Sequence, residues 1–142
     1  MYKHILIATD GSELAGKAVV AGLALAKLAG AKVTALTAIE PWLAIASSDT
    51  AGAFMEYQRA AEQSATRILG KVSMAARECG VQCETVTVTE TAAEAIMEAA
   101  KSKQCDLIVM SSHGRRGLAR ILLGSQAMRV LTLSFIPVLI CR

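Results

Sequence analysis

Apolar and polar residues alternate along the amino-terminal part of the chain in a way that predicts a strand, a helix and a second strand. Residues 4–8 form a β-branched and leucine-rich run that stops at a Thr-Asp-Gly-Ser cluster suited to a turn and a helix cap. Residues 32–39 predict the second strand, which Pro41 closes. Between them, apolar side chains recur every three or four residues and predict one buried helical stripe that Gly30 terminates: Leu14, Ala18, Ala21, Leu25 and Leu28.

The middle of the chain carries the longest helical pattern. Apolar residues keep helical spacing over residues 53–79, and Gly80 ends the predicted helix. The stripe expected to face the core comprises Phe54, Tyr57, Ala61, Ala65, Ile68, Val72, Ala75 and Cys79.

The last third of the chain continues the alternation of strands and helices. Residues 81–88 are rich in Val and Thr and predict an edge strand. Thr91 and Glu94 match a capping box, which predicts a third helix starting there. Three more elements follow: a short apolar strand at 106–110, a fourth helix at 125–133 and a last apolar strand at 138–141.

The element order β-α-β-α-β-α-β-α-β predicts an α/β fold in one domain over residues 1–142. Parallel strands need long connections, so the sheet is expected to be parallel, with helices on both faces. Ligands of such open sheets bind beyond the carboxyl ends of the strands, where the strand order reverses. The loops after the first and fourth strands are therefore the places to look for a site.

Composition narrows the functional classes. The chain is 54% hydrophobic and 19% charged, as expected of a globular domain, and its net charge of +3 is too small to predict a nucleic-acid or membrane partner. No signal peptide and no membrane-length apolar run is found, so a cytoplasmic location is expected. The cysteines form no C-x-x-C pair, which predicts no metal site and no redox motif: Cys79, Cys83, Cys105 and Cys141.

The loop after the fourth strand contains two devices that suit a phosphate. Gly114 lets backbone amides approach an anion without a Cβ in the way. Gly124 and Ser125 open a helix, whose amino terminus offers free N–H groups, a favourable dipole and a hydroxyl. Each glycine by itself could simply form a turn, and Ser125 could simply cap its helix. The combination of these residues in one loop after a parallel strand favours anion binding.

This string resembles the signature of ATP-binding members of the universal stress protein (UspA) family, G-x-x-G, nine residues, then G-S/T. Here it is Ser111-x-x-Gly114, nine residues, Gly124-Ser125. The opening 5–12 and the ending 136–140 also look like that family. The resemblance covers the whole chain and implies a three-layer Rossmann-like fold, of the adenine nucleotide alpha hydrolase-like type, with a five-stranded parallel sheet of order 3-2-1-4-5.

The resemblance also implies an adenine-nucleotide site that takes ATP, with or without Mg²⁺. In it Asp10 contacts the ribose or a metal-bridged phosphate, and the backbone at Ala8 and Ala38 frames the adenine. The complete implied set is Ala8, Thr9, Asp10, Ala38, Met110, Ser111, His113, Gly114, Arg115, Arg116, Gly117, Gly124, Ser125, Gln126 and Ala127.

Two positions leave alternatives open. Ser111 replaces the first glycine of the signature. The serine weakens binding if that position requires a positive φ or a very close approach to ribose or phosphate, and it could add a hydrogen bond if neither holds. Asp10 precedes the first helix and could serve as its cap, as a ligand contact, or as both.

Efficient catalysis is not expected, and at most slow ATP hydrolysis or autophosphorylation is predicted. No G-x-S-x-G elbow supports a hydrolase triad around His113, and no G-x-x-x-x-G-K-S/T places a lysine on a transferring phosphoryl group. The leading hypothesis is a regulatory stress-response homodimer that pairs through residues Val138 to Cys141 and binds ATP. The alternative is a nucleotide-independent interaction module of the same family.

Overall fold

The predicted alternation of strands and helices is present in the computed structural model, which describes residues 1–42, 50–115 and 123–142. Within these residues the order of elements agrees with the sequence prediction, and boundaries differ by a few residues. The elements are β1 His4–Ala8, α1 Glu13–Ala29, β2 Lys32–Ile39, α2 Thr50–Glu78, β3 Cys83–Thr89, α3 Ala92–Ser102, β4 Leu107–Ser111, α4 Ser125–Leu133 and β5 Val138–Cys141.

All five strands are parallel and lie in the order β3-β2-β1-β4-β5, which confirms the expected topology. Strand β1 is central, and every one of its residues is buried. Its Ile7 is in register with Ala35 of β2 and Val109 of β4. The predicted edge position of β3 is confirmed as well.

Two hydrophobic cores lie on opposite faces of the sheet because successive side chains of a strand point in opposite directions. Ile5 and Ile7 pack with α1 and α2, in a cluster that includes Leu23 and Leu69. Leu6 packs with α3 and α4 on the other face. The helices therefore cover both faces, as the sequence predicted.

The predicted stripe of α1 is wrong in part. Ala18 is buried, but Leu28 is 86% exposed and Leu14, Ala21 and Leu25 are only half-buried. The buried face is rotated toward small side chains, because α1 lies so close to β1 that a Cβ on Gly22 would come within 2.6 Å of Ile7 Cδ1. The buried residues of α1 are Ala15, Ala18, Val19, Gly22, Leu23 and Ala26.

The capping box expected at the start of α3 is not formed. Thr91 is the N-cap residue, but its side chain accepts no hydrogen bond from the helix. Gln126 of α4 accepts the hydrogen bond of Ala93 N instead, at 2.9 Å, and Glu94 pairs with Arg129 of α4. Contacts between the two helices have thus replaced the local cap.

Among the residues that the structure describes, no helix is both long and apolar enough to cross a membrane.

Candidate functional site

The loops after β1 and β4 meet at the carboxyl edge of the sheet, because β1 pairs with β4 on one side and with β2 on the other. The chain leaves β1 toward α1 on one face, and α4 packs on the opposite face. The strand order therefore reverses between β1 and β4, the position at which open α/β sheets bind ligands.

Asp10 joins the two loops. Its Oδ1 accepts a hydrogen bond from Ser12 N at 2.9 Å, and its Oδ2 accepts one from Arg115 N at 2.7 Å. Gly114 permits this approach, since a Cβ there would lie 2.8 Å from Asp10 Oδ2. The capping role considered for Asp10 belongs to Ser12, whose Oγ accepts from Ala15 N at 3.2 Å.

The turn after β1 is fixed to its neighbours. Thr9 N donates to Leu36 O at 2.9 Å, and Thr9 O accepts from the hydroxyl of Thr37 at 2.9 Å. Gly11 has a φ of 79°, a conformation that favours glycine. The Arg115 guanidinium lies close to Gly11, since its Nη2 is 3.2 Å from the position that a Cβ of Gly11 would take. The side chain of Arg115 therefore lies on the side of the sheet that carries α1 and α2.

Ser111, the departure from the glycine signature, is accommodated without strain. It is the last residue of β4, and it is not among the described residues with a positive φ. Its hydroxyl donates to His113 O at 2.7 Å. The backbone at Ser111 is not left-handed, so the first of the two conditions under which serine would be costly does not hold, and the hydroxyl is used within the loop.

The amino terminus of α4 is open. Gly124 N donates to Ser112 O at 2.6 Å, but no side chain of the described residues caps the helix, and Ser125 is exposed. By contrast, α1 is capped by Ser12, and one first-turn amide of α3, Ala93 N, donates to Gln126. A Cβ on Gly124 would lie 2.9 Å from Ser112 O. A side chain at 124 would therefore disturb the loop itself, so a substitution of Gly124 would not test the phosphate site alone.

Ser112 and His113 form a pair that sequence reasoning did not anticipate. Ser112 Oγ lies 2.9 Å from His113 Nδ1, while His113 Nε2 is buried with no partner among the described residues. Ser112 is only 2% exposed, so its hydroxyl cannot reach a substrate arriving from solvent. The pair positions the loop against Gly124, whose Cβ position is 3.6 Å from His113 Cα.

The remaining residues implied by the resemblance lie on the α3 and α4 face. Ala8, Met110 and Ala127 belong to the second core, Ala38 packs against it, and the side-chain amide of Gln126 is engaged by α3. Their side chains are thus occupied by packing, and only their backbone is left for a ligand. Arg116 and Gly117 lie outside the described residues.

A separate polar network lies near the amino ends of β1, β2 and β3. Thr34 Oγ1 donates to Glu84 Oε1 at 2.8 Å, so its oxygen accepts from His4 Nε2, also at 2.8 Å. Burial, and then Lys32, lower the pKa of His4, while the hydrogen bond from Thr34, and then that from Lys103, lower the pKa of Glu84. His4 is thus a neutral core residue with a satisfied ring nitrogen.

In the described parts of the chain, no cluster of three or more His, Cys, Asp or Glu could hold a metal ion.

Comparison with known proteins places this geometry in a family. The profile described as "Universal stress protein family" matches residues 1–142. Universal stress protein MJ0531 of Methanocaldococcus jannaschii is 35% identical, covering 100% of this chain and 83% of that protein.

Solved structures agree with the fold. Universal stress protein UspA from Lactobacillus plantarum superposes with a TM-score of 0.90 at 22% identity, covering 99% of this chain and 98% of that one. A universal stress protein crystallised in complex with cAMP has a TM-score of 0.76 at 27% identity, covering 99% of this chain and 97% of its own. The match over the full length of the sequence shows that the chain belongs to the universal stress protein family.

Proposed function

We propose that this protein binds an adenine nucleotide, ATP, at the carboxyl edge of β1 and β4 and acts as a regulatory homodimer. The observation that carries the proposal is the uncapped amino terminus of α4 beside the Gly114 loop. The first-turn amides of α4 and the Ser125 hydroxyl are groups that can donate hydrogen bonds to an anion, and the helix dipole favours negative charge there. Family membership and the relative with bound cAMP support adenine as the base.

The sugar and base are assigned to the ends of β1 and β2. Ala8 and Ala38 offer backbone groups at this edge, and their small side chains leave room for a flat ring. Asp10 already accepts two amide hydrogen bonds. A carboxylate has about four acceptor sites, so it can also accept from a ribose hydroxyl or contact a metal ion that bridges the phosphates.

The regulatory role follows from what the ligand would touch. Asp10 links the loops after β1 and β4, so a nucleotide bound there favours one arrangement of both loops. A partner protein reading these loops senses the ligand without any turnover. We propose that the protein works in the cytoplasm as a binding protein and not as an enzyme.

One observation favours the alternative, an interaction module that needs no nucleotide. The Ser111 hydroxyl and both Asp10 oxygens are satisfied within the protein, so the loop is held in place without a ligand. Native mass spectrometry of the purified protein separates the two functions, since a copurifying adenine nucleotide would be detected by its mass.

A charge placed at the first position of α4 tests the phosphate site. Ser125→Glu suits the helix dipole, so the fold is expected to persist, but its carboxylate competes with phosphate for the same amides. Titration calorimetry should show ATP affinity falling by at least about tenfold, with adenosine affinity little changed. Ala24→Glu, on the exposed face of α1, adds the same charge elsewhere and should leave both affinities unchanged. Equal ATP affinity in Ser125→Glu and the parent would remove α4 from the site.

A further inference from the structure

A cavity of about 340 Å³ lies between α1 and α2, where the amino terminus of α1 faces the middle of α2. Its volume is in the range of small-molecule sites. Val19, Ile68 and Val72 give it an apolar part, and Ser12 and Ser64 line it as well. This combination of apolar surface and a few polar groups is what a small organic ligand needs.

Three cations meet around this cavity. Arg67 and Lys71 lie one turn apart on α2, and Arg115 reaches it from the loop after β4, lying against Gly11. No Asp or Glu is among the described residues that line it. None of the three cations has an ion-pair partner within residues 1–42, 50–115 and 123–142. Their neighbours three or four positions away on α2 are not acidic: Gln63, Ser64, Gly70, Met74 and Ala75.

This arrangement is electrostatically unfavourable when the cavity holds only water. Like charges four residues apart on a helix repel each other, as Arg67 and Lys71 do. The amino terminus of α1 lies beside the same space, and its dipole is partly offset by Glu13 in the first turn and by the Asp10 carboxylate that accepts from Ser12 N. An anion in the cavity relieves the repulsion between Arg67 and Lys71, and an arginine guanidinium can bind a phosphate with two parallel hydrogen bonds.

We propose that this cavity is a binding site for a small metabolite that carries one or two phosphate groups. It lies on the α1 and α2 face of the sheet, whereas α4 packs on the opposite face, so it is distinct from the nucleotide site proposed above. Thr9 and Arg115 belong to both regions: both line the cavity, and the backbone N–H of Arg115 donates to Asp10. A ligand here therefore contacts the loop that the nucleotide site uses.

The test uses inorganic pyrophosphate and fructose 1,6-bisphosphate as probes, with ¹H–¹⁵N NMR of the whole chain. Both probes should shift the amide signals of Gly11, Ser12, Ser64 and Arg115. The double variant Arg67→Gln, Lys71→Gln should weaken binding of the probes by at least about tenfold, since it removes two of the three cations. The control Arg59→Gln, Arg77→Gln removes the same charge from exposed positions of α2 outside the cavity and should bind like the parent.

Two results would overturn the proposal. If the control double variant weakened probe binding equally, the probes would be attracted by the net charge of the protein and not by a specific site in the cavity. Probe-induced shifts at Ser125, Gln126 and Ala127 in place of the cavity residues would assign the anion to α4. The Ser125→Glu variant separates this proposal from the nucleotide site: it should lose ATP and retain both probes. If the parent binds the probes at the cavity but no ATP, the cavity site stands and the nucleotide proposal fails.

Discussion

Asp10 shows at the scale of one residue how a position can serve structure and ligand together. The carboxylate accepts hydrogen bonds from Ser12 N and Arg115 N, and through them it holds the loops after β1 and β4 at a fixed distance. A loss of ligand affinity on mutation would thus be accompanied by a loss of stability, and the two have to be measured separately.

Substituting Asp10 with Asn should cost about 1 to 3 kcal/mol of folding free energy, because one of the two amides then faces an NH₂ group and loses its acceptor. Urea unfolding measures this cost, and titration calorimetry measures ATP affinity in the same variant. Glu13→Gln removes an equal charge from the exposed first turn of α1 and is the control. If the Asp10 variant were as stable as this control, the carboxylate would not hold the loops together.

His4 gives a prediction for the dependence of stability on pH. Its pKa in the folded protein is lower than the ordinary value of 6.5, chiefly because of burial. Below pH 6.5, His4 takes up a proton in the unfolded chain more readily than in the folded protein. The contribution of His4 to the free energy of unfolding should therefore be fully present above pH 6.5 and be lost as the pH falls through the lower pKa of the folded state. His4→Gln keeps a donor for Thr34 but does not titrate, and it should flatten this part of the urea-unfolding profile. An unchanged slope in the variant would assign the proton uptake to another group.

The packing of α1 on β1 shows at the scale of elements why small residues matter more than the leucine pattern. Gly22 faces Ile7 so closely that it has no room for a Cβ, whereas Gly16 on the same helix has no atom within 4 Å of its Cβ position. The two glycines therefore allow one substitution to be compared in opposite environments.

We expect Gly22→Ala to destabilise the protein by about 1 to 3 kcal/mol, since overpacking outweighs the gain in helix propensity. Gly16→Ala should stabilise it by about 0.5 to 1 kcal/mol, because it restricts the unfolded chain and meets no neighbour. Chemical unfolding of both variants is the measurement. Stabilisation by Gly22→Ala would mean that α1 can move away from the sheet at little cost.

The unpaired outer edge of β5 matters at the scale of the whole molecule. Leu139 is 40% exposed on this edge, and Phe135, just before the strand, is fully exposed. An apolar sheet edge needs cover, and pairing of β5 with its copy about a two-fold axis would supply it.

Leu139→Asp should therefore convert the proposed dimer to monomers or aggregates, because it places a charge within the expected contact. Sedimentation velocity reports the change. Leu28→Asp, on a leucine of α1 that is 86% exposed, introduces the same charge away from β5 and should leave the assembly unaltered. A Leu139 variant that sediments as a dimer would exclude this interface.

The order of strands and helices, and the residues that end them, could be predicted from the sequence because they depend on near neighbours. The apolar run of residues 4–8 and the helical spacing after it required no knowledge of the rest of the chain. Gly30, with a φ of 66°, ends α1 as predicted, for the local reason that a left-handed residue favours glycine. The signature around Gly114 and Gly124 likewise located the loop that lies at the carboxyl edge.

Tertiary structure alone decided which groups meet. The buried face of α1 depends on how near the helix lies to Ile7. In the first turn of α3, the backbone amide of Ala93 donates its hydrogen bond to Gln126, which is 33 residues away in the sequence. The resemblance implied that Arg115 belongs to the nucleotide site, but its side chain lies with Arg67 and Lys71, two residues that no sequence motif had singled out. Distances between elements arise from packing of the two cores, and a periodic pattern along one chain carries no information about them.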